Sequence, residues 1–169
     1  LMYIRRFPGI VNPNIPFIPS EVNYRTPVTS HAVDVTEYEI SYTVSSNPAR
    51  CLLVLVSSIQ EVSGVTYNGI SMTEWIQEYS QGYASIFGLL NPPSGEHSVI
   101  VEFSSSSHIM VGVIELYGVN QSNPYSSDYN IPTAPDVDLS FELDAGDLMI
   151  TCLNYWSNSN PVTPDPGQT

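Results

Sequence analysis

Hydrophobic and polar positions alternate with a period of two through much of this chain, and that period predicts strands. Val99, Val101 and Phe103 alternate with Ser98, Ile100 and Glu102. Successive side chains of a strand point to opposite faces, so this run buries one face. Tyr38, Ile40, Tyr42 and Val44 alternate in the same way with Glu37, Glu39, Ser41 and Thr43. So do Val137, Leu139, Phe141 and Leu143 with Asp136, Asp138, Ser140, Glu142 and Asp144. The runs Cys51 to Val56 and Ile109 to Tyr117 are apolar almost throughout, as in central strands covered on both faces.

Turn chemistry separates these runs. Asn91-Pro92-Pro93-Ser94-Gly95 ends the strand that begins near Tyr83: two prolines remove backbone donors, and Gly95 permits the return. The 83–103 stretch therefore reads as a hairpin or as a crossing from one sheet to another. Asn68-Gly69, between Val62–Tyr67 and Ile70–Gln77, is the strongest short hairpin signal in the chain. Glu74 and Glu78 stand four apart, as on a helix face, but the preceding Asn-Gly and the missing cap favour a strand there. Asp144-Ala145-Gly146-Asp147 turns the chain into a strand over 148–154.

Nine or so short strands, a turn about every ten residues and no convincing helix predict an all-β protein. The expected architecture is an antiparallel two-sheet β-sandwich, Ig-like or jelly-roll-like, over residues 31–156. Residues 1–30 differ. Pro8, Pro13, Pro16, Pro19 and Pro27 punctuate Ile10, Val11, Ile15, Phe17 and Ile18, which predicts an extended Pro-rich arm whose apolar residues lie on this domain or on a neighbouring chain. Residues 157–169 read as a polar loop with no strand after it, leaving the sheet to be completed by another chain or by more of this one. The opening residues do not read as a secretory leader, and no apolar run approaches the length of a membrane span.

Charge narrows the partners. There are 4 basic residues against 17 carboxylates, a formal net charge of −13, and no lysine. Such a body is repelled by phosphate backbones and anionic lipid, which argues against nucleic acid and membrane as partners. Arg5, Arg6 and Arg25 concentrate three of the four positive charges near the start.

Motifs for chemistry are missing. The sequence has no Gly-x-Ser-x-Gly elbow, His-Glu-x-x-His, phosphate-binding Gly loop or Cys-x-x-Cys. His31, His97 and His108 fall in three separate regions without ligand spacing. Glu74 and Glu78 form a conceivable glycosidase pair but read more simply as solvated residues. Asp136 with Asp138, and Asp144 with Asp147, are the places where Ca²⁺ would bind; alternating carboxylates also occur as the wet face of a strand, so no metal or cofactor is expected. Cys51 and Cys152 read as buried free thiols, or as a disulfide if their Cα atoms come within about 7 Å. Tyr125, Tyr129, Tyr155 and Trp156 fall in or near loops, where aromatic residues serve as interface contacts, sugar platforms or plugs for the ends of a sandwich. With the five apolar arm residues they form the candidate interface.

One resemblance extends this reading. Arg50-Cys-Leu-Leu-Val-Leu-Val-Ser, Val62-Ser-Gly-Val-Thr-Tyr-Asn-Gly-Ile-Ser-Met-Thr, Ile86-Phe-Gly-Leu-Leu-Asn-Pro-Pro-Ser-Gly and Tyr117-Gly-Val-Asn-Gln-Ser-Asn-Pro occur in succession. Over residues 33–156 this series resembles β-sandwich modules that recur in tailed-phage structural proteins and in bacterial surface or secreted proteins. The resemblance implies a non-enzymatic virion protein (a capsid decoration, fibre or tail-associated subunit) whose partners are other virion proteins and copies of itself. The alternative it implies is an adhesive or carbohydrate-binding module outside the cell.

Overall fold

The computed structural model describes residues 2–4, 21–79, 81–127 and 146–152. In chain order its strands are β1 (Met2–Ile4), β2 (Asn23–Tyr24), β3 (Val28–Val44), β4 (Cys51–Ser58), β5 (Val62–Tyr67), β6 (Ile70–Ser71), β7 (Thr73–Tyr79), β8 (Tyr83–Leu90), β9 (Gly95–Tyr117), β10 (Tyr125–Ser127) and β11 (Leu148–Ile150). The described residues contain no helix, and every pairing is antiparallel.

The 83–103 stretch is a crossing. β8 and β9 do not pair with each other: β8 lies between β4 and β7, while the first half of β9 lies between β3 and β5. Asn91, with φ 48°, and Gly95, with φ 112°, supply the left-handed conformations that carry the chain across. Asn68 and Gly69, at φ 50° and 71°, form the tight turn expected of Asn-Gly, with Tyr67 opposite Ile70. Residues 73–79 are strand, not helix.

The two walls belong to one sheet, curled until it nearly closes into a barrel. The expectation holds at the level of antiparallel all-β, but the long pair β3–β9 runs through both walls instead of dividing into two sheets. The strand order is β6-β5-β9-β4-β8-β7, with β3 and β2 also on β9. The first half of β9 pairs β5 and the second half pairs β4, so these two neighbours face each other across the interior. A bend in the middle makes this possible. Asp34 adopts φ 55°, and the β3–β9 register shifts between Ala32 and Val35 and again between Val35 and Glu37. Bulges of this kind sharpen local twist and bend a strand. The inward residues of β3 accordingly step by three through the bend, Ala32, Val35, Tyr38, and by two after it. Opposite lie Ser104 to Ser107, whose short side chains tolerate the curvature; Ser107 is buried, and its hydroxyl accepts the N–H of Gln60 at 3.3 Å.

Backbone pairing leaves a seam between β5 and β7, and one side chain spans it. Gln77 Oε1 accepts the N–H of Val62 at 3.2 Å and the hydroxyl of Ser85 at 2.8 Å.

The core has two compartments, and β4 belongs to both. Leu52, Val54 and Val56 face the interior with Val65, Tyr67, Phe87, Val99, Val101 and Val111. Cys51 and Leu53 face the opposite side, with Ile86, Leu116 and Val119. Over this outer cluster sits a second, three-stranded sheet in the order β10-β1-β11, contributing Tyr125, Leu148 and Ile150. The continuous apolar run of β4 is explained by this double cover. Each fully buried aliphatic side chain contributes about 1.5–3 kcal/mol.

The described parts of residues 1–30, where an extended arm is expected, contribute strands to both sheets. Met2–Ile4 is the middle strand of the small sheet, and Asn23–Tyr24 and Val28–Ser30 already belong to the large one. Ile10, Val11, Ile15, Phe17 and Ile18 lie outside the described residues, as do the strand expected over 137–143 and the loop over 157–169.

A buried carboxylate ties the end of β9 to both ends of β3. Glu115 is completely inaccessible to solvent. Its Oε2 accepts the N–H of Ser45 at 2.9 Å and faces Arg25 Nη1 at 3.5 Å, while its Oε1 accepts the Ser45 hydroxyl. Its own N–H donates to the Tyr42 hydroxyl at 2.9 Å, and its carbonyl accepts the N–H of Arg25 at 3.0 Å. Removing the carboxylate leaves the part-buried Ser45 N–H without its acceptor and opens a void at a fully buried position. Glu115→Ala is therefore expected to lose about 3 kcal/mol, read as a fall in urea midpoint without change in slope. Arg25→Ala, at a half-exposed site, should lose less.

Candidate functional site

Tyr125 is the one candidate interface residue among the described residues; Tyr129, Tyr155 and Trp156 lie outside them. On β10, its ring stacks on Trp75 of β7, with centroids 4.4 Å apart and planes 14° from parallel. The other face of Trp75 lies on Gly88 of β8. A methyl group at Gly88 would sit 2.3 Å from the indole carbons, so only glycine admits the ring there. Both faces of Trp75 are thus engaged inside the chain. Tyr125 closes the outer layer over β7 and β8.

Beside this layer the outer face of the large sheet is open. A groove of about 390 Å³ runs along it, lined by Thr29 and His31 of β3, Leu55 of β4, Met110 and Gly112 of β9, and Cys152 just past β11. Register places Thr29 opposite Gly112 and His31 opposite Met110, so alternate residues of two paired strands share this face. Met110 is 62% exposed. The lining offers hydroxyls, one imidazole and apolar surface. A second depression, about 350 Å³, lies by Arg25, Thr26, Tyr42 and Glu96. The Arg25 guanidinium there is already committed to the Thr43 carbonyl at 3.3 Å and to Glu115.

The three histidines occupy three different places. His31 lines the groove, His97 meets the Tyr67 ring edge-on with centroids 5.5 Å apart, and His108 Nε2 lies 3.1 Å from Asp34 Oδ1. Among the described residues no three His, Cys, Asp or Glu side chains converge on a metal-sized point. Asp136, Asp138 and Asp144 lie outside them. Glu74 accepts from Gln77 Nε2 at 3.4 Å on the outer edge of β7.

Sequence reasoning missed an aromatic pair. Tyr79 and Tyr83 face each other across the β7–β8 hairpin, ring centroids 4.9 Å apart, with Tyr79 59% exposed. The signal was available in two tyrosines flanking a three-residue, glycine-containing turn. Trp75 and Gly88 are far apart in sequence and left no such trace.

Cys51 and Cys152 are free thiols. Burial pushes both up: Cys51 well above the ordinary range and Cys152 to about 11, against an ordinary value of 9.0. Burial also raises the Tyr42 and Tyr67 hydroxyls above 10.0.

The chain matches no known protein-family model, and no curated protein matches it.

Two predictions follow from this geometry. Gly88→Ala should displace Trp75 from Tyr125, costing about 1–3 kcal/mol of stability; a shift in tryptophan fluorescence and a lower urea midpoint are the expected readings. The raised thiols and phenols hold their protons more tightly in the folded than in the unfolded chain. Their contribution is complete below pH 9 and is lost as pH rises through 9 to 11 and beyond, because the unfolded state ionises first. Urea midpoints should therefore fall from pH 8 to pH 11, and less steeply in Cys152→Ala.

Proposed function

We propose that the chain is a non-enzymatic structural subunit that acts through protein–protein assembly, in a virion as capsid decoration, fibre or tail-associated protein. One observation carries the reading: the outer layer of the fold is completed by residues 2–4, which a proline-rich stretch of sequence separates from the body. Exchange of an identical element that finishes another part of a fold is a low-cost route to dimers. The groove beside that layer supports the same reading, since its lining is apolar and hydroxylic. The virion itself rests on the resemblance of residues 33–156 to phage structural modules. The expectations of no cofactor, no nucleic acid and no membrane partner belong to the same proposal.

A second reading, glycan binding at a cell surface, is favoured by the Tyr79–Tyr83 pair, of which Tyr79 is exposed, because aromatic faces stack on sugars. Binding to a glycan array that is lost in Tyr79→Ala would move the function to this class.

The assembly reading is tested by sedimentation of the full chain and of a chain lacking residues 1–20. The full chain should sediment as an oligomer. The shortened one should keep its strand circular dichroism, melt at a lower temperature and sediment as a monomer. A monomeric full chain, or an oligomer that survives the deletion, overturns the proposal.

A further inference from the structure

The small sheet has a weak point at its centre. Among the described residues β10 and β11 do not pair with each other and each pairs with β1, Met2 opposite Ser127 and Ile150, Ile4 opposite Tyr125 and Leu148. Nothing but β1, among the described residues, joins these two strands to each other. They cannot simply be left unjoined, because Tyr125, Leu148 and Ile150 cover the outer cluster of Cys51, Leu53, Ile86 and Leu116. Every copy of the fold therefore needs a strand between β10 and β11.

We propose that this slot is a strand-acceptor site, filled in the assembled protein by residues 2–4 of a second copy. The inference rests on the assembly reading above and makes it specific. The backbone bonds that a second copy's strand would make are the same as those made by the chain's own, so exchange costs little beyond the entropy of association.

The connection between slot strand and body suits exchange. Residues 5–20 separate Ile4 from the first described residue of the body, Glu21. Sixteen residues span up to about 50 Å when extended, against a radius of gyration of about 15 Å for a domain of this length. The strand can therefore reach a neighbouring copy. Four of these residues, Pro8, Pro13, Pro16 and Pro19, lack an N–H. Backbone N–H groups of a strand point to alternate edges, so the spacing of three from Pro13 to Pro16 to Pro19 removes donors from both edges. That segment is unfit to fill the slot itself. Residues 1–7, by contrast, contain no proline.

Charge supplies direction. Copies with net charge −13 repel one another, and Arg5 and Arg6 directly follow the strand. A basic donor end approaching an acidic acceptor offsets part of that repulsion and steers the encounter.

The test uses the register Tyr3 opposite Met149. Directly opposed residues of an antiparallel pair have Cα atoms about 4.5–5.5 Å apart, within the range a disulfide accepts. Tyr3→Cys and Met149→Cys chains, distinguishable by a mass tag, are mixed under mild denaturant, returned to buffer and oxidised. Each variant oxidised alone reports the background from Cys51 and Cys152. Exchange predicts a disulfide-linked heterodimer in the mixture and in neither variant alone. The doubly substituted chain should form disulfide-linked multimers. If the double variant closes only within one chain, or does not close at all, while the mixture stays unlinked, strand exchange is overturned. Sedimentation of the wild-type chain separates the two failures. An oligomer without cross-chain linkage defeats only the strand proposal; a monomer defeats the assembly reading as well.

Discussion

Taking an ionised carboxylate out of water costs several kcal/mol unless its oxygens are met by donors, and Glu115 is fully buried. Its donors come from Arg25 and Ser45, 90 and 70 residues earlier. The end of β9 can enter the interior only once the segment before β3 and the turn after β3 are both in place. Tyr42 adds a third constraint by accepting the Glu115 N–H while its ring packs in the interior cluster. This node fixes the β3–β9 pair at one end of the barrel. The Asp34 bulge, with its contact to His108, fixes the bend of the same pair near its middle.

From that pair the rest of the architecture follows. β9 offers one edge to β3 along nearly its whole length and divides its other edge between β5 and β4. The bend turns these two neighbours toward each other, and their inward valines and leucines fill the space between. The sheet stops short of full closure by hydrogen-bonded strands, and Gln77 bridges the gap with its amide oxygen. A barrel-like closure also limits exposed sheet edge, the part of a β protein most open to uncontrolled association.

The outer layer is a different kind of structure. Its described strands come from residues 2–4, 125–127 and 148–150, and Tyr125, Leu148 and Ile150 pack on the apolar cluster beneath it. The stack of Tyr125 on Trp75, made possible by Gly88, pins one margin of the layer. The barrel encloses the larger apolar cluster, and the outer layer covers the smaller one on its outside.

Much of the barrel was legible in the chain. Period-two alternation gave the buried face of β9 at Val99, Val101 and Phe103 and of β3 at Tyr42 and Val44, because a pleated strand imposes that period whatever it pairs with. The apolar run of β4 implied cover on both sides, and Asn68-Gly69 implied its turn, since both signals are local. The candidate interface was legible only as composition: of its nine residues the described structure places Tyr125 alone, and places it against its own chain. What local pattern cannot carry is which strand lies beside which. Whether Asn91 to Gly95 made a hairpin or a crossing depended on β4 inserting next to β8. Whether one sheet or two formed depended on Ser104 to Ser107 continuing β9 through a bend. Glu115 looked like a lone charge in an apolar strand until Arg25 and Ser45 arrived from distant parts of the chain. Periodicity and turn residues determined the strands; only long-range packing, with buried charge demanding its partners, decided how they close around a core.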